Sequence, residues 1–233
     1  MSHEMSNQKY IYASCKNWHY PYFERLKQAQ EDLWYWASTP EELHSIIEKI
    51  KPRYVFFVHW SWQVPESIWN RYECVCFHMS DVPYGRGGSP LQNLIIEGKK
   101  TTKLSALQMV AELDAGPVYV KRDLDLKGRA QQVYLRAAEL TIEVMLWMIV
   151  NNPVPIPQTG KVTLFKRRKP EQSLLPKSNI PVDIYDFIRM LDADGYPYAY
   201  LLHGNFRLEF QKARKEGQVV MATVRITMNS QGE

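Results

Sequence analysis

Hydrophobic and polar positions follow two rhythms along this chain. Short apolar runs at "KYIYAS" (9–14), "RYVFFVHW" (53–60) and "ECVCFHM" (73–79) are bounded by polar residues. Such nearly continuous runs predict strands, and that at 53–60 has the pattern of a strand buried on both faces of a parallel sheet. Helical spacing occupies the intervals. "YPYFERLKQAQ" (20–30) has apolar residues at mixed spacing, whereas "TPEELHSIIEKI" (39–50) is clearer. There Thr39 can cap, Pro40 takes the first helical position, and Leu43, Ile46, Ile47 and Ile50 share one face. A further helix is predicted at "SPLQNLIIEG" (89–98) and two strands at "KLSALQMV" (103–110) and "PVYVKRDL" (117–124). Strand and helix alternating in this way predict an α/β fold with a mostly parallel, Rossmann-like sheet.

A long amphipathic helix is expected from Arg129 to about Val150, carrying Val133, Ala137, Leu140, Val144 and Trp147 at helical spacing. The Pro-rich "NNPVPIPQTG" (151–160) stops it and is the best boundary in the chain. Beyond it the pattern turns to a basic segment "KVTLFKRRKPEQS" (161–173), a short helix at 182–191, and strands at 199–203, 206–213 and 219–228. The expected organisation is a main domain over 1–173 and a small β-rich C-terminal extension over 174–233.

Composition narrows this picture. With 45% hydrophobic, 23% charged and 12% aromatic residues among 233, the chain has the makeup of a globular protein rather than a disordered one. The run "VMLWMIV" (144–150) is far short of a membrane span of about 20 residues. The polar start "MSHEMSNQKY" shows no apolar signal region, so the expected location is the cytoplasm. Three cysteines, an odd number, argue against a disulfide framework. A formal charge of +4 permits an anionic ligand without predicting nucleic-acid binding.

The candidate chemistry lies in "CFHMSDVPYGRGGSP" (76–90), where a strand ends in His78 and a loop rich in Pro and Gly follows. Open α/β sheets place their ligands at the C-terminal ends of strands, and glycines let backbone approach a ligand closely. Taken alone, a single histidine is more often a hydrogen-bonded residue at a sheet edge. Cys74, Cys76 and His78 alternate along one side of the strand, but alternate residues lie about 6.6 Å apart and the outer two about 13 Å apart. Zinc takes ligand atoms at about 2.0–2.3 Å, so no metal site is expected. In "AELDAGPVYV" (111–120) Asp114 serves either turn chemistry or as a carboxylate partner that orients an imidazole and supports its charge.

"FHMSDVPYGRGGSP", "LDAGPVYV" and "FKRRKPEQS", in that order, resemble the formyltransferases that use N10-formyltetrahydrofolate. The family pattern is Asn-x-His-x-Ser, a Leu-Pro-x-x-Arg-Gly-like loop, and Asp-x-Gly some tens of residues later. The resemblance implies that His78 stabilises an oxyanion and relays protons while an amine attacks the formyl carbon, with Asp114 orienting and charge-stabilising the ring. The family Asn is Cys76 here, leaving Ser80 or Asn93 as candidate replacements. A degenerate, non-catalytic folate-binding module is the alternative that this departure raises, and a nucleic-acid binder using the basic run 166–169 is another. By the same resemblance the pterin meets main-chain groups at Trp62, Gln63 and Val64 and at Ala111, Glu112 and Leu113, with Arg86 and Gly87 of the glycine loop completing the cofactor set. Core packing is the plain alternative for the Trp-rich stretch.

The short C-terminal segment with its Gly195-Tyr196-Pro197 turn resembles that of sugar-amine N-formyltransferases, and the glycine loop also those of peptide-synthetase formylation domains. The resemblance thus implies a nucleotide-linked amino sugar of a surface glycan as acceptor, with no nucleic-acid or membrane partner and a homodimer allowed. Arg86 and Tyr84, then Lys166, Arg167 and Arg168 with Trp18 and Tyr196, are the cations and flat rings suited to such a ligand. Their plain alternative is a solvated surface. An aminoacyl acceptor, on methionyl-tRNA or a carrier, is the other reading. The lack of room for a large C-terminal domain after the motifs speaks against tRNA.

Overall fold

A computed structural model describes residues 8–29, 33–176 and 183–229. The polar stretch 1–7, in which no signal region was read, lies outside the described residues, as do 30 and 182 at the ends of two expected helices. The elements run β1 (Tyr10–Ala13), a 3-10 turn (Asn17–His19), α1 (Tyr20–Ala29), β2 (Trp34–Ala37), α2 (Pro40–Ile50) and β3 (Tyr54–Phe57). Next come α3 (Glu66–Trp69), β4 (Cys74–His78), β5 (Arg86–Gly87), α4 (Pro90–Ile96), β6 (Thr101–Gln108), β7 (Val118–Asp125) and α5 (Ala130–Asn151). The C-terminal part holds β8 (Leu164–Phe165), a 3-10 turn (Pro170–Ser173), α6 (Ile184–Leu191), β9 (Ala199–His203), β10 (Phe206–Glu216) and β11 (Val219–Met228).

Among the described residues a six-stranded sheet has the order β2-β1-β3-β4-β6-β7. β1 pairs in parallel with β2 and β3, and β3 with β4, while β4 and β6 are antiparallel. The mostly parallel α/β expectation is met, and the antiparallel side is where the candidate chemistry sits. β2 ("WYWA") was not predicted, because four residues flanked by charged ones on one side and "STP" on the other leave no period to read.

Two compact units divide the chain, each drawing on several stretches. The first comprises the described residues of Met1–Arg86, Lys103–Arg122 and Ala137–Leu164. Its sheet is covered on both faces. Tyr10, Tyr12, Tyr54, Phe56 and Val75 pack with Phe23 and Leu26 of α1 and Ile142, Met145 and Met148 of α5. Ile11, Val55, Phe57 and Cys74, whose side chains point the other way, pack with Leu43 and Ile47 of α2 and with Val64 and Ile68. Strand alternation accounts for both sets. α2 forms where the sequence says it should, with Thr39 Oγ1 accepting the Glu42 N–H at 3.2 Å and the Glu42 carboxylate accepting the Ser38 N–H at 2.7 Å.

The second unit comprises the described residues of Gly87–Thr102, Asp123–Arg136 and Phe165–Glu233. It thus includes α4 and the first turns of α5, which a linear boundary at 173/174 would leave out. Hydrogen bonds explain the grouping: the buried Gln92 of α4 donates to Tyr134 Oη (3.0 Å) and to the Met190 carbonyl (3.2 Å). Arg189, also buried, donates to the carbonyls of Leu126 (2.6 Å) and Gly128 (2.9 Å). β9, β10 and β11 form an antiparallel sheet in the order β11-β10-β9. No helix among the described residues is long and apolar enough to cross a membrane.

Candidate active site

His78 is the last residue of β4 and is buried, with 7% of its surface exposed. Its Nε2 lies 2.7 Å from the Gly85 carbonyl oxygen and its Nδ1 lies 3.4 Å from Asp114 Oδ2. A carbonyl oxygen only accepts, so Nε2 carries a hydrogen in this arrangement. Nδ1 then faces the Asp114 carboxylate. The two residues are placed side by side to act as one acid/base unit.

Asp114 reaches this place through strained backbone. It sits at φ +54°, a left-handed conformation that Asp and Asn tolerate better than most residues. The turn is pressed against β6, because a Cβ built on Gly116 would lie 1.7 Å from the Gln108 carbonyl oxygen. Met109, in the same connection, packs with the cluster that holds Cys74. The turn thus folds back along the face that carries Cys74, Cys76 and His78.

The loop after β4 is held from several sides. Gly85 O also accepts from Ser80 Oγ at 3.0 Å, Ser80 O accepts from Ser105 Oγ at 2.7 Å, and Lys121 Nζ binds Asp81 Oδ1 at 2.6 Å and the Val82 carbonyl at 2.5 Å. Gly85 itself is at φ +74°, which glycine adopts without strain.

The site residues expected from the sequence fall into two groups. His78, Asp114, Ser80, Arg86 and Glu112 are joined by contacts within the first unit. Arg86, only 8% exposed, donates from Nε (3.0 Å) and Nη2 (2.9 Å) to Gln158 Oε1 and pairs through Nη1 with Glu112 at 3.3 Å. Its charge is tied to protein groups rather than displayed on a surface. Trp62 (44% exposed) and Leu113 (70% exposed) lie at the surface with exposed Gln63, Ala111 and Glu112, while Val64 is buried in the core. Trp18 stacks on His19 with ring centroids 4.0 Å apart, and Tyr84 is half-buried in the loop.

Asn93, Gly87 and Tyr196 belong to the second unit. Asn93 Nδ2 donates to the carbonyls of Gly88 (3.0 Å), Ser89 (3.0 Å) and Lys166 (3.2 Å), so its amide hydrogens hold α4 and the basic segment together. Gly87 is at φ +101°, and a Cβ there would lie 2.5 Å from the Phe165 carbonyl oxygen. Tyr196 stacks on Tyr134 at 5.3 Å. Of the two candidates for the missing Asn, Ser80 shares the Gly85 carbonyl with His78 Nε2, and Asn93 donates to the three carbonyls of its own unit.

Cys76, at the family's Asn position, is a protonated thiol. Burial raises its pKa far above the usual range, and the nearby Asp114 charge adds to the shift. Cys74 is pushed up to about 12 by burial first and by Glu73 second. Among the described residues no group of three or more His, Cys, Asp or Glu side chains is placed to hold a metal ion.

Two features escaped the sequence reading. Gln158, in the Pro-rich stretch read only as a boundary, donates from Nε2 to the carbonyls of Asp114 and Gly116, both at 2.8 Å. A polar residue just after a run of prolines carries no periodic signal. The second is a relay of rings, buried at Tyr12 and His19 and half-buried at His59: Tyr12 Oη lies 2.8 Å from His19 Nδ1, and His19 Nε2 lies 2.8 Å from His59 Nδ1. Burial, with His59 adding to it, lowers the pKa of His19 to about 2. Burial and then Lys16 lower that of His59 to about 4.

Comparison with known proteins follows the same lines. A family model described as the methionyl-tRNA formyltransferase C-terminal domain matches residues 170–227. The methionyl-tRNA formyltransferase of Rickettsia bellii (strain RML369-C) is 34% identical over 127 residues, 52% of this chain and 42% of the relative. The match thus spans less than half the length of that curated relative. A solved structure of the methionyl-tRNA formyltransferase from Clostridium thermocellum is 40% identical with a TM-score of 0.90, covering 95% of this chain and 99% of that one. A sugar N-formyltransferase from Shewanella sp. shares the fold at 16% identity and a TM-score of 0.68, covering 91% and 99% of the two chains. With the C. thermocellum chain matched over nearly its whole length, and the His78–Asp114 pair and glycine loop in place, the chain belongs to the N10-formyltetrahydrofolate-dependent formyltransferase family.

Proposed function

We propose that the chain transfers the formyl group of N10-formyltetrahydrofolate to a primary amine presented as an aminoacyl group, that of methionyl-tRNA. The observation that carries the transfer chemistry is the His78–Asp114 unit, with an N–H at Nε2 on one side of the ring and a carboxylate on the other. The donor supplies a formyl carbon bonded to a nitrogen that leaves as an amine. The exposed residues Trp62–Gln63 and Ala111–Leu113 suit a flat, polar-edged ring that takes main-chain hydrogen bonds beside apolar side chains.

His78 donates from Nε2 to the oxygen on which negative charge develops, exchanging the Gly85 carbonyl for that oxygen. Asp114 faces the other ring nitrogen and takes the proton that the attacking amine gives up. One proton leaves the incoming nitrogen and one goes to the departing nitrogen, so the pair ends a cycle with the protons it began with. Aimed donors of this kind contribute about 10²–10³ in rate, and a positioned acid/base about 10²–10⁴. A protonated Cys76 cannot supply the family's amide donor, which leaves His78 as the oxyanion's partner.

The acceptor assignment departs from the nucleotide sugar that sequence resemblance favoured. The objection to tRNA was the short C-terminal segment, but the C. thermocellum chain that bears the tRNA enzyme's name is matched over 99% of its length. The sugar enzyme is similar in fold alone. Exposed Lys166, Arg167 and Lys169 add cationic surface of the kind that meets a phosphate backbone.

The test is release of tetrahydrofolate from N10-formyltetrahydrofolate with methionyl-tRNA, UDP- and CMP-amino sugars as separate acceptors. Turnover with methionyl-tRNA, lost by about 10² or more in His78→Asn, is the expected result. Turnover with a sugar alone would replace the acceptor. A folded, fully active His78→Asn would remove the catalytic assignment.

A further inference from the structure

Gln158 makes four hydrogen bonds through one amide, and they reach both sides of the proposed acid/base ring. Nε2 donates to Asp114 O and Gly116 O at 2.8 Å each, and Oε1 accepts from Arg86 Nε at 3.0 Å and Nη2 at 2.9 Å. The orientation is fixed by these partners. A flipped amide would set its oxygen against two carbonyls and its NH₂ against a guanidinium. Arg86 follows Gly85, whose carbonyl faces His78 Nε2. Asp114, whose carboxylate faces His78 Nδ1, is held in a left-handed conformation. One side chain therefore ties the backbone that presents Asp114 to the guanidinium of the residue that follows Gly85. Glu112, the other partner of Arg86, is mostly solvent-exposed, so it cannot substitute for this buried link.

We propose that Gln158 is a positioning residue: it sets the Gly85 carbonyl and the Asp114 carboxylate against the two nitrogens of His78, and thereby the protonation and aim of that ring. This rests on the catalytic reading of His78 and Asp114. Residues of this kind act through geometry, and a misplacement of about 1 Å can cost about 10²-fold in rate. The amide is required as donor and acceptor together. Glutamate at 158 would keep the contact to Arg86 but would turn a carboxylate oxygen toward the carbonyls of Asp114 and Gly116.

The test uses the full chain with Gln158→Glu and Gln158→Leu, and reads ring-nitrogen NMR titration of His78 in the free protein, identified by its loss in His78→Asn. Kinetics with N10-formyltetrahydrofolate and methionyl-tRNA, or the amino sugar that turns over in its place, accompany it. The expected result is a His78 titration displaced by about one pH unit and kcat lowered about 10- to 100-fold with KM little changed, in variants that melt as folded proteins. A titration and kcat profile matching wild type, or a rate loss that only tracks the unfolded fraction, overturns the proposal. Should neither variant fold, Arg86→Lys removes the paired donation to Oε1 while keeping the charge. The same displacement supports the proposal there, and an unmoved titration overturns it. The two readings fail separately: an active His78→Asn removes the catalytic assignment, whereas inert Gln158 variants beside an inactive His78→Asn remove only the positioning role.

Discussion

At the scale of single residues, the pairing of His78 with Asp114 depends on a residue type that does two things. The position needs a carboxylate for the ring and tolerance of φ +54° for the turn. Asn shares the second property and lacks the first, so Asp114→Asn separates them. Its melting temperature should stay within a few degrees of wild type while kcat falls by about 10²–10⁴. An Asp114→Asn protein that keeps most of its rate would show that the negative charge is dispensable. His78 and Asp114 were legible in the sequence because each stands in a motif with turn residues around it. Gln158 was not, since its four bonds join segments more than 40 residues apart and leave no local pattern. Cys76 was legible as a departure, but its chemical state was not, because that follows from burial and from Asp114.

At the scale of elements, the connection between β6 and β7 is the tightest part of the site. Gly116 is there because the Gln108 carbonyl occupies the space a side chain would need. Backbone cannot yield as a flexible side chain does, so Gly116→Ala should cost at least the roughly 1–3 kcal/mol of ordinary overpacking. It should also lower kcat in whatever protein remains folded, because the displaced turn carries Asp114. Urea denaturation beside activity per folded molecule checks both, and an unchanged midpoint would mean that the approach is looser than described. Element types were read well where period and caps agree, as in α2, α5 and the strands of the C-terminal hairpins. β2 was missed because four aromatic-rich residues have no room to show a period. The grouping of α4 with the C-terminal elements was missed because buried hydrogen bonds from Gln92 and Arg189 decide it, and these are invisible to a reading of periodicity.

At the scale of the whole molecule, the buried histidines make stability depend on pH. In the unfolded chain His19 and His59 bind protons as pH falls through about 6.5. In the folded chain they do so only near about 2 and about 4 respectively. The unfolded state therefore binds more protons between these values, and stability rises with pH across that window. It is fully present above about pH 6.5 and declines below it, with a slope of at most about 1.4 kcal/mol per pH unit for each ring. Denaturant midpoints measured from pH 7.5 to 4.5 should fall accordingly, and more gently in His19→Gln if the variant folds. A midpoint independent of pH would contradict the burial of the two rings as neutral species. Six histidines in the composition gave no hint of this, because the relay joins Tyr12, His19 and His59 only after β1 and β3 lie side by side.

The two thiols of β4 have a practical consequence. All three cysteines are free, but reaction with electrophiles requires the thiolate. At pH 8 a thiol pushed up to about 12, as Cys74 is, is ionised in roughly one molecule in ten thousand. Cys76, shifted further, is ionised in fewer still. Cys15, half-buried, donates its thiol to His59 O at 2.8 Å and lies 3.2 Å from Ser61 Oγ. For a maleimide the native chain should behave as a single-cysteine protein, one fluorophore per molecule in the folded state and three after denaturation. That one label would sit beside Ser61, next in sequence to Trp62, where tryptophan emission offers a built-in energy-transfer donor for following folate as it binds.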